Sequence, residues 1–546
     1  MEKFRSFIKS STKEDLLVLL LGASFFIGVW YALPMVNTVC DTWAYGGGVL
    51  RAMEAHTIFP GGDVPYGTIS FYQNYVLWVI PLGFGLLFTG FNIEVLKTFF
   101  VLNPSYTLLV PRVASVLSAL LLLLVVYRFL KTNVQSLWWR TALLMALFGN
   151  VLTALLVRSG KMWILATTFG VISFIYLHRA LTEEREKGVP GKLSAISIVF
   201  AFLAAANFPF FALFLINIPI IFCSFPRTAK SLQHLSTIVF SGSMLFLGIV
   251  ALNAHNTIGL VGGSLTHILN SPVGNVASDQ STVTFFEAFM VNVRQAVESF
   301  PLLLLALFSA LYAKMRDRKL AYLSLVYIIV YITTASILFR SNYGLDLNIR
   351  HIFPLGFFLI FLVAAYCAPA KRVAVGFFSV GLILYVYSMM LFSVPTTYND
   401  ASNFINAQYR DKEIRIDENI FELTLPTNKA SYLLYKDSSC GSTCKYRREI
   451  TTDIQFRPIV ITNDMTLSVL GTLPPTDIIV VERAIAGCTP LARFGNPVPD
   501  DEIFDMDINL GRMVMPSFYK IHQLGKNIYI YDAKVCSMTS ALRKTK

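Results

Sequence analysis

Residues 107–130 read TLLVPRVASVLSALLLLLVVYRFL. Between Arg112 and Arg128 this stretch carries no charged side chain. It is also long enough to cross the hydrocarbon core of a bilayer as a helix, which takes about 17 to 25 residues. Similar apolar runs recur from residue 16 to residue 394, and the apolar density falls after that point. The pattern predicts a membrane domain over residues 1–394 and a soluble domain over residues 395–546.

The composition supports this division. The 546 residues are 55% hydrophobic and only 14% charged, whereas soluble globular domains carry about 25% charged residues. The apolar runs lie at 16–36, 70–90, 107–130, 137–157, 162–177, 193–224, 235–253, 300–313, 320–339, 352–368 and 373–394. The run at 193–224 is too long for one span, and Asn207-Phe208-Pro209 interrupts it, which predicts a pair of short helices. The fold class predicted is a polytopic α-helical membrane protein with about 11 to 13 transmembrane helices.

Basic residues set the predicted orientation. The formal charge is +12, and no nucleic-acid motif accompanies it, so we expect no nucleic-acid partner. Lys and Arg concentrate in short loops between the runs, as the positive-inside rule requires of cytoplasmic loops. The N-terminus is then cytoplasmic, in the plasma membrane, and the segments left outside are 37–69, 158–161, 254–298, 340–350 and everything after Ser393. Because residues 1–15 and 128–140 are both assigned to the cytoplasmic side, the segment 70–106 must either cross an even number of times or be partly re-entrant.

The tail reads as an extracytoplasmic α/β domain. A polar amphipathic stretch from Asn399 to Arg410 precedes β-rich runs at 458–462, 477–481 and 527–531, each bounded by turn residues. Four cysteines lie in the tail: Cys440, Cys444, Cys488 and Cys536. An even number in an oxidising compartment favours disulfides, with free thiols or half of a zinc site as the alternatives.

The first outer loop contains the most informative polar residues. Asp41 follows the first span directly, Tyr45 comes four positions later, and Glu54 ends the same stretch. Residues four apart share a face of a helix. A carboxylate at a membrane boundary is a candidate functional group because a low dielectric raises its basicity. Asp is also a common helix N-cap, and spacing alone does not separate the two interpretations.

An acid after the first span, followed by Tyr45 and an amphipathic helix, resembles the first outer loop of the GT-C glycosyltransferases. These are polytopic enzymes that take sugars from polyprenyl-phosphate carriers. Pro111-Arg112-Val-Ala-Ser115 is similar to the Arg-x-x-Ser motif of that class, and Asn348-Ile-Arg350-His351-Ile-Phe-Pro354 resembles its late Arg-Tyr/His-x-x-Pro motif. About a dozen spans followed by an outer α/β tail match as well, although the tail matches only loosely.

The resemblance implies roles for named residues. Asp41 would be the general base that activates the acceptor, with Tyr45 and Glu54 close to the substrate. The lipid phosphate that leaves needs positive charge, and Arg350 is the first choice because its planar fork can bind two phosphate oxygens. The candidate cationic and polar groups on the outer side are Arg112, Arg158, Lys161, Arg340, Arg350 and His351. Each cation could instead be an interface anchor whose charge snorkels to water.

One departure from the class concerns metal. Many members carry a second acid in the loop before the fifth run, but here that loop reads Val157-Arg158-Ser-Gly-Lys161-Met-Trp163. A metal bridged between two loops is therefore not expected, and we predict an enzyme without metal or other cofactor. Lys161 would serve the phosphate charge instead.

The function expected is transfer of a sugar from a polyprenyl-phosphate donor to a glycan, lipid or protein acceptor of the cell envelope, with inversion. A secondary transporter would show internal repeats and ionisable residues within the spans, and the runs show almost none. A non-catalytic lipid-binding protein, or a polymerase or ligase of another membrane fold, remains an alternative.

Overall fold

The structure is a computed structural model. It describes residues 13–31, 33, 40–61, 64, 67–102, 104–254, 284–338, 349–409, 412, 414–417, 459–462, 478–485, 488–496, 522–534 and 536. The chain divides into two compact units. The first contains Met1–Val29, Gly48–Leu77 and Val110–Met390, and the second contains Trp30–Gly47, Trp78–Leu109 and Leu391–Lys546. The tail thus shares its unit with two earlier segments, and the boundary at residue 394 stays a prediction.

The described residues up to 409 are almost entirely helical. The α-helices are α1 (Lys13–Ser24), α2 (Cys40–Glu54), α3 (Thr68–Phe88), α4 (Ile93–Leu102), α5 (Leu109–Asn133), α6 (Leu137–Phe148), α7 (Val151–Val157), α8 (Trp163–Arg179), α9 (Lys192–Asn207), α10 (Asn217–Ser224), α11 (Ala229–Ala251), α12 (Phe285–Ser299), α13 (Pro301–Leu311), α14 (Arg318–Leu338), α15 (Ile349–Ala364), α16 (Lys371–Ser393) and α17 (Thr397–Gln408). Three 3-10 helices are Pro104–Leu108, Arg185–Lys187 and Pro209–Ile216, and a π-helix covers Ala180–Glu184.

Within these residues, six helices are long and apolar enough to cross a membrane, or eight if each of two bent pairs is one span. The bent pairs are α6 with α7, at 65°, and α12 with α13, at 90°. Three further apolar segments, Lys192–Asn207, Pro209–Ser224 and His351–Ala364, are shorter than a full crossing. The chain is a polytopic helical membrane protein, as predicted. The run at 193–224 is two short helical segments, because Pro209 cannot continue α9.

One end of the first unit is held together by ion pairs. Arg140 binds Glu14 in a bidentate manner, with Nε to Oε1 at 2.6 Å and Nη2 to Oε2 at 2.5 Å. Lys131 Nζ lies 3.0 Å from Oδ1 of Asp15, which also accepts a hydrogen bond from Tyr127. These contacts place α1, the end of α5 and the start of α6 side by side. We call this the Arg140 end.

A hydrogen bond at the same end joins the last turn of α8 to the residue before α14. His178 Nε2 lies 2.9 Å from Oδ2 of Asp317. This hydrogen bond lowers the pKa of the Asp317 carboxyl below its ordinary value. The backbone N–H of Arg316 donates to Ala365 O at 2.8 Å. The basic loops that the sequence assigns to one side of the membrane therefore meet at one end of the unit, and the side itself stays a prediction.

The segment 70–106 contains a helical hairpin. In the second unit, the rings of Trp78 in α3 and Phe100 in α4 lie 5.5 Å apart. A Cβ at Gly85 would lie 2.7 Å from a methyl carbon of Leu96, so the two helices pack closely along their length. Gly90 adopts φ +62 in the turn between them, a conformation that glycine tolerates best. Because α3 has 21 residues and α4 has 10, the even number of crossings, or the partly re-entrant course, stays a prediction.

A polar network holds the interior of the first unit. Asn217 Nδ2 donates to the hydroxyl oxygens of Ser173 and Ser197, each at 2.7 Å, and Tyr327 OH donates to Asn217 Oδ1. All four residues are fully buried. Such groups must find partners inside the protein because a bilayer core offers no water.

Removing the Tyr327 hydroxyl tests the network. Tyr327→Phe leaves the Asn217 carbonyl oxygen without this donor, and we expect the free energy of unfolding to fall by about 1 kcal/mol. Chemical denaturation in one detergent measures it. Tyr322→Phe is the matched control, because Tyr322 lies on the same helix with a side chain that is 66% exposed. Equal stability of the two variants would contradict the expectation.

The second unit contains a mixed five-stranded sheet. Its strands are β1 (Ile414–Asp417), β2 (Ile459–Thr462), β3 (Ile478–Val481), β4 (Ala492–Phe494) and β5 (Ile528–Asp532). The order is β2-β1-β3-β5-β4, with β1 parallel to β2 and β3, and β5 antiparallel to β3 and β4. The three predicted strands and the helix α17 are confirmed, whereas β1 and β4 were not predicted.

The cysteines of the tail fall into two groups. Cys488 and Cys536 form a disulfide, with Cα atoms 5.3 Å apart, beside the core that Tyr531 and Ile479 build. Cys440 and Cys444 lie outside the described residues. The preference for disulfides is confirmed for the first pair.

Candidate functional site

The turn between α7 and α8 is the centre of the candidate site. It runs from Arg158 to Met162, which we call the Lys161 turn. Gly160 has φ +71, where a side chain would be strained. Ser159 stabilises the turn by donating from Oγ to Leu156 O at 2.8 Å and accepting from the Lys161 N–H at 3.2 Å. The sequence Arg-Ser-Gly-Lys therefore forms a compact connection with a cation on each side of the glycine.

Arg158 ties this turn to the segment that follows α1. Its side chain is 0% exposed. Nε donates to Ile27 O at 2.6 Å, Nη1 to Ala154 O at 2.8 Å and Nη2 to Ser24 O at 3.2 Å. These are carbonyls at the ends of helices or in turns, which lack intrahelical partners or share them.

The Arg-x-x-Ser motif at the start of α5 makes two further hydrogen bonds in this region. Arg112 is 3% exposed, and its Nη1 donates to Val29 O at 2.8 Å. Ser115 Oγ, one turn later, donates to Lys161 O at 3.1 Å. The motif therefore connects the segment after α1 with the Lys161 turn.

Asn207 joins the Lys161 turn to the first turn of α3. Its Oδ1 accepts from the backbone N–H of Ser70 at 3.0 Å and from Ser70 Oγ at 3.1 Å. Its Nδ2 donates to Met162 O at 3.2 Å. Asn207 is 0% exposed and is the last residue of α9, where Pro209 ends the helix.

His351 lies in an aromatic environment next to the turn. Its ring centroid is 4.8 Å from that of Trp163, the first residue of α8, and 5.7 Å from that of Phe210. Tyr331 OH donates to the His351 carbonyl at 2.5 Å. This places the start of α15 against the start of α8.

These contacts bring three buried cations together at one end of the first unit: Arg112, Arg158 and Lys161. We call them the buried cation cluster. The buried acids among the described residues, Glu14 and Glu184, lie toward the Arg140 end. Buried charge is costly unless opposite charge or hydrogen bonds compensate it. Hydrogen bonds from Arg112 and Arg158 to backbone carbonyls supply part of that compensation.

The predicted site residues do not all lie in one place in the structure. It brings Arg112, Arg158, Lys161 and His351 together in the first unit. Glu54 is exposed at the end of α2. Tyr45 is 1% exposed and belongs to the second unit. The remaining two lie in helices but outside the residues whose side chains the structure describes: Asp41 in α2 and Arg350 in α15.

Asn207 and Ser70 are members of this site that were not predicted as such. The sequence signal was the Asn-Phe-Pro interruption of an apolar run, which indicates a helix break but names no partner. Among the described residues, no three His, Cys, Asp or Glu side chains form a group that could hold a metal ion. Independence of metal stays a prediction.

No family model matches the chain, and no curated protein matches it. Its structure is similar to the crystal structure of ArnT from Cupriavidus metallidurans bound to undecaprenyl phosphate, with a TM-score of 0.46 and 11% sequence identity over 88% of this chain and 96% of that chain. At this TM-score the likeness carries no residue-by-residue correspondence.

Proposed function

We propose that the chain is an integral membrane glycosyltransferase of the GT-C type. It transfers a sugar from a polyprenyl-phosphate donor to a glycan, lipid or protein acceptor, with inversion at the anomeric carbon. The observation that carries this proposal is the buried cation cluster, at the end of the bundle where the sequence predicts the outer face. The N-terminus is cytoplasmic, and the tail is extracytoplasmic.

The cluster suits the leaving group. When the bond between the anomeric carbon and the phosphate oxygen breaks, the phosphate takes the electron pair and gains negative charge. Positive groups that are already oriented stabilise that charge without having to reorganise. Arg112, Arg158 and Lys161 supply a positive field, and Arg350 supplies a guanidinium fork for the phosphate oxygens. His351 adds a hydrogen-bonding group at the start of the same helix.

The acceptor requires a base. Its hydroxyl oxygen attacks the anomeric carbon from the face opposite the phosphate, which inverts the configuration. As the new bond forms, the hydroxyl proton passes to the carboxylate of Asp41. Tyr45 shares a helix face with Asp41 by its spacing, and Glu54 lies at the other end of α2, so both are proposed to contact the substrate.

Binding of polyprenyl phosphate tests the proposal. The protein in lipid nanodiscs is expected to bind undecaprenyl phosphate and to leave undecaprenol, which lacks only the phosphate, essentially unbound. With a polyprenyl-phosphate-linked sugar, loss of the donor and appearance of free polyprenyl phosphate report transfer. Equal affinity for the two lipids would contradict the phosphate site.

A transporter is the competing function. Its ion and substrate sites would lie near the middle of the membrane and contain ionisable groups. In the part of the chain that the structure describes, the buried charged residues lie at helix ends or in turns. Flux of polyprenyl-linked sugar across proteoliposome membranes without any transfer would favour the transporter over the enzyme.

A further inference from the structure

Two successive carbonyl groups fix the backbone around Lys161. Ser115 of α5 binds the carbonyl of Lys161, and Asn207 of α9 binds the carbonyl of Met162. Fixing both carbonyls sets the direction in which the Lys161 side chain leaves the turn. The same amide of Asn207 reaches Ser70 through its oxygen.

We propose that Asn207 is a positioning residue that holds the Lys161 turn in the geometry that receives the donor phosphate, and that links this turn to α3. The inference rests on the proposed function. Asn207 acts through Met162 and Ser70 and touches no substrate itself.

The chemistry of the position requires an amide. The N–H of Ser70 is one of the first four N–H groups of α3, which have no partner within the helix. The Met162 carbonyl accepts the N–H of Ala166 in the first turn of α8 at 3.0 Å, and the amide of Asn207 gives the same oxygen a second hydrogen bond from α9. To hold both groups, one side chain has to accept at one atom and donate at another, and the carboxamide does both. An aspartate would keep the acceptor and lose the donor.

The amide of Asn207 also connects the Lys161 turn to α3. The residues just before α3 form the end of the first outer loop, where Asn253 Nδ2 donates to Val64 O at 2.9 Å. Ser70, in the first turn of α3 after this loop, is hydrogen-bonded to Asn207 of α9. One buried amide therefore holds both the Lys161 turn and the first turn of α3.

The chain provides a matched control. Asn217 is also an asparagine with 0% exposure, and it also makes three side-chain hydrogen bonds, but to Ser173, Ser197 and Tyr327. Its network does not include the Lys161 turn. Asn217→Ala therefore reports the general cost of deleting a buried amide from this bundle.

The test compares Asn207→Ala, Asn207→Asp and Asn217→Ala in full-length protein. Unfolding temperature, affinity for undecaprenyl phosphate, and donor KM and kcat are measured. We expect both alanine variants to lower the unfolding temperature. Only the Asn207 variants should weaken the affinity, by about tenfold, the change that about 1.4 kcal/mol produces. Donor KM should rise with it while kcat changes less.

Three results would contradict the proposed role of Asn207 or a part of it. If Asn207→Ala and Asn217→Ala weaken lipid binding equally, Asn207 is a structural residue only. If Asn207→Asp binds like the wild type, the bond to Met162 is not the one that positions the turn. If the wild-type protein fails to bind undecaprenyl phosphate, the proposed function fails and this inference fails with it.

Discussion

Asp41→Asn is expected to lower the rate of sugar transfer by about 10² to 10⁴-fold, the range that a positioned general base contributes. The amide has nearly the size of the carboxylate, but it cannot take the proton from the acceptor hydroxyl as the new bond forms. Donor binding should stay close to that of the wild type, because Asp41 is assigned to the acceptor and not to the phosphate.

Single-turnover transfer in lipid, together with affinity for undecaprenyl phosphate, separates these effects. Glu94→Gln is the matched control: Glu94 lies in the first turn of α4, as Asp41 lies in the first turn of α2, and its side chain is 61% exposed. Loss of that charge should cost only a few tenths of a kcal/mol in stability and leave transfer unchanged. A native rate in Asp41→Asn would remove Asp41 from the role of base.

Lys161→Met is expected to weaken binding of undecaprenyl phosphate by about 100-fold. Methionine retains most of the apolar stem of lysine, so packing at this buried position changes little, while the positive charge and its donors are lost. A hydrogen bond between charged groups contributes about 1.5 to 3 kcal/mol, and the upper part of that range corresponds to about two powers of ten in affinity.

Lys131→Met is the control for this variant. Lys131 lies at the Arg140 end, 45% exposed, and pairs with Asp15. Such a surface pair contributes about 0 to 1 kcal/mol to stability, and its loss should not change lipid binding. Titration of undecaprenyl phosphate into nanodiscs measures both variants. Equal affinity of Lys161→Met and the wild type would exclude Lys161 as a phosphate ligand.

The hydrogen-bond partners of Arg158 could not be predicted from the sequence. In the sequence it is an isolated cation beside a glycine, equally compatible with a phosphate ligand or an interface anchor. In the structure its guanidinium is fully buried and binds carbonyls of Ser24, Ile27 and Ala154. Two of these lie more than a hundred residues away along the chain. No local pattern contains such a partnership, so a role in holding the turn could not be predicted.

The Arg-x-x-Ser motif could be recognised from the sequence, but its hydrogen-bond partners could not. The motif was recognised by residue type and spacing, and Arg112 and Ser115 do share a face of α5. The two partners, Val29 and Lys161, come from different loops. Spacing along a helix therefore predicted which side chains act together, and the packing of helices decided what they hold.

The membrane-spanning helices, the break at Phe208-Pro209 and the three predicted strands follow from local causes. Apolar length, the missing N–H of proline and the alternation of strand and turn residues act over a few positions, so they can be read from the chain alone. The hairpin of α3 and α4, the network around Asn217 and the buried cation cluster depend on side chains that are distant in sequence. Their free energy comes from burial and hydrogen bonds between helices, and those exist only once the helices have packed.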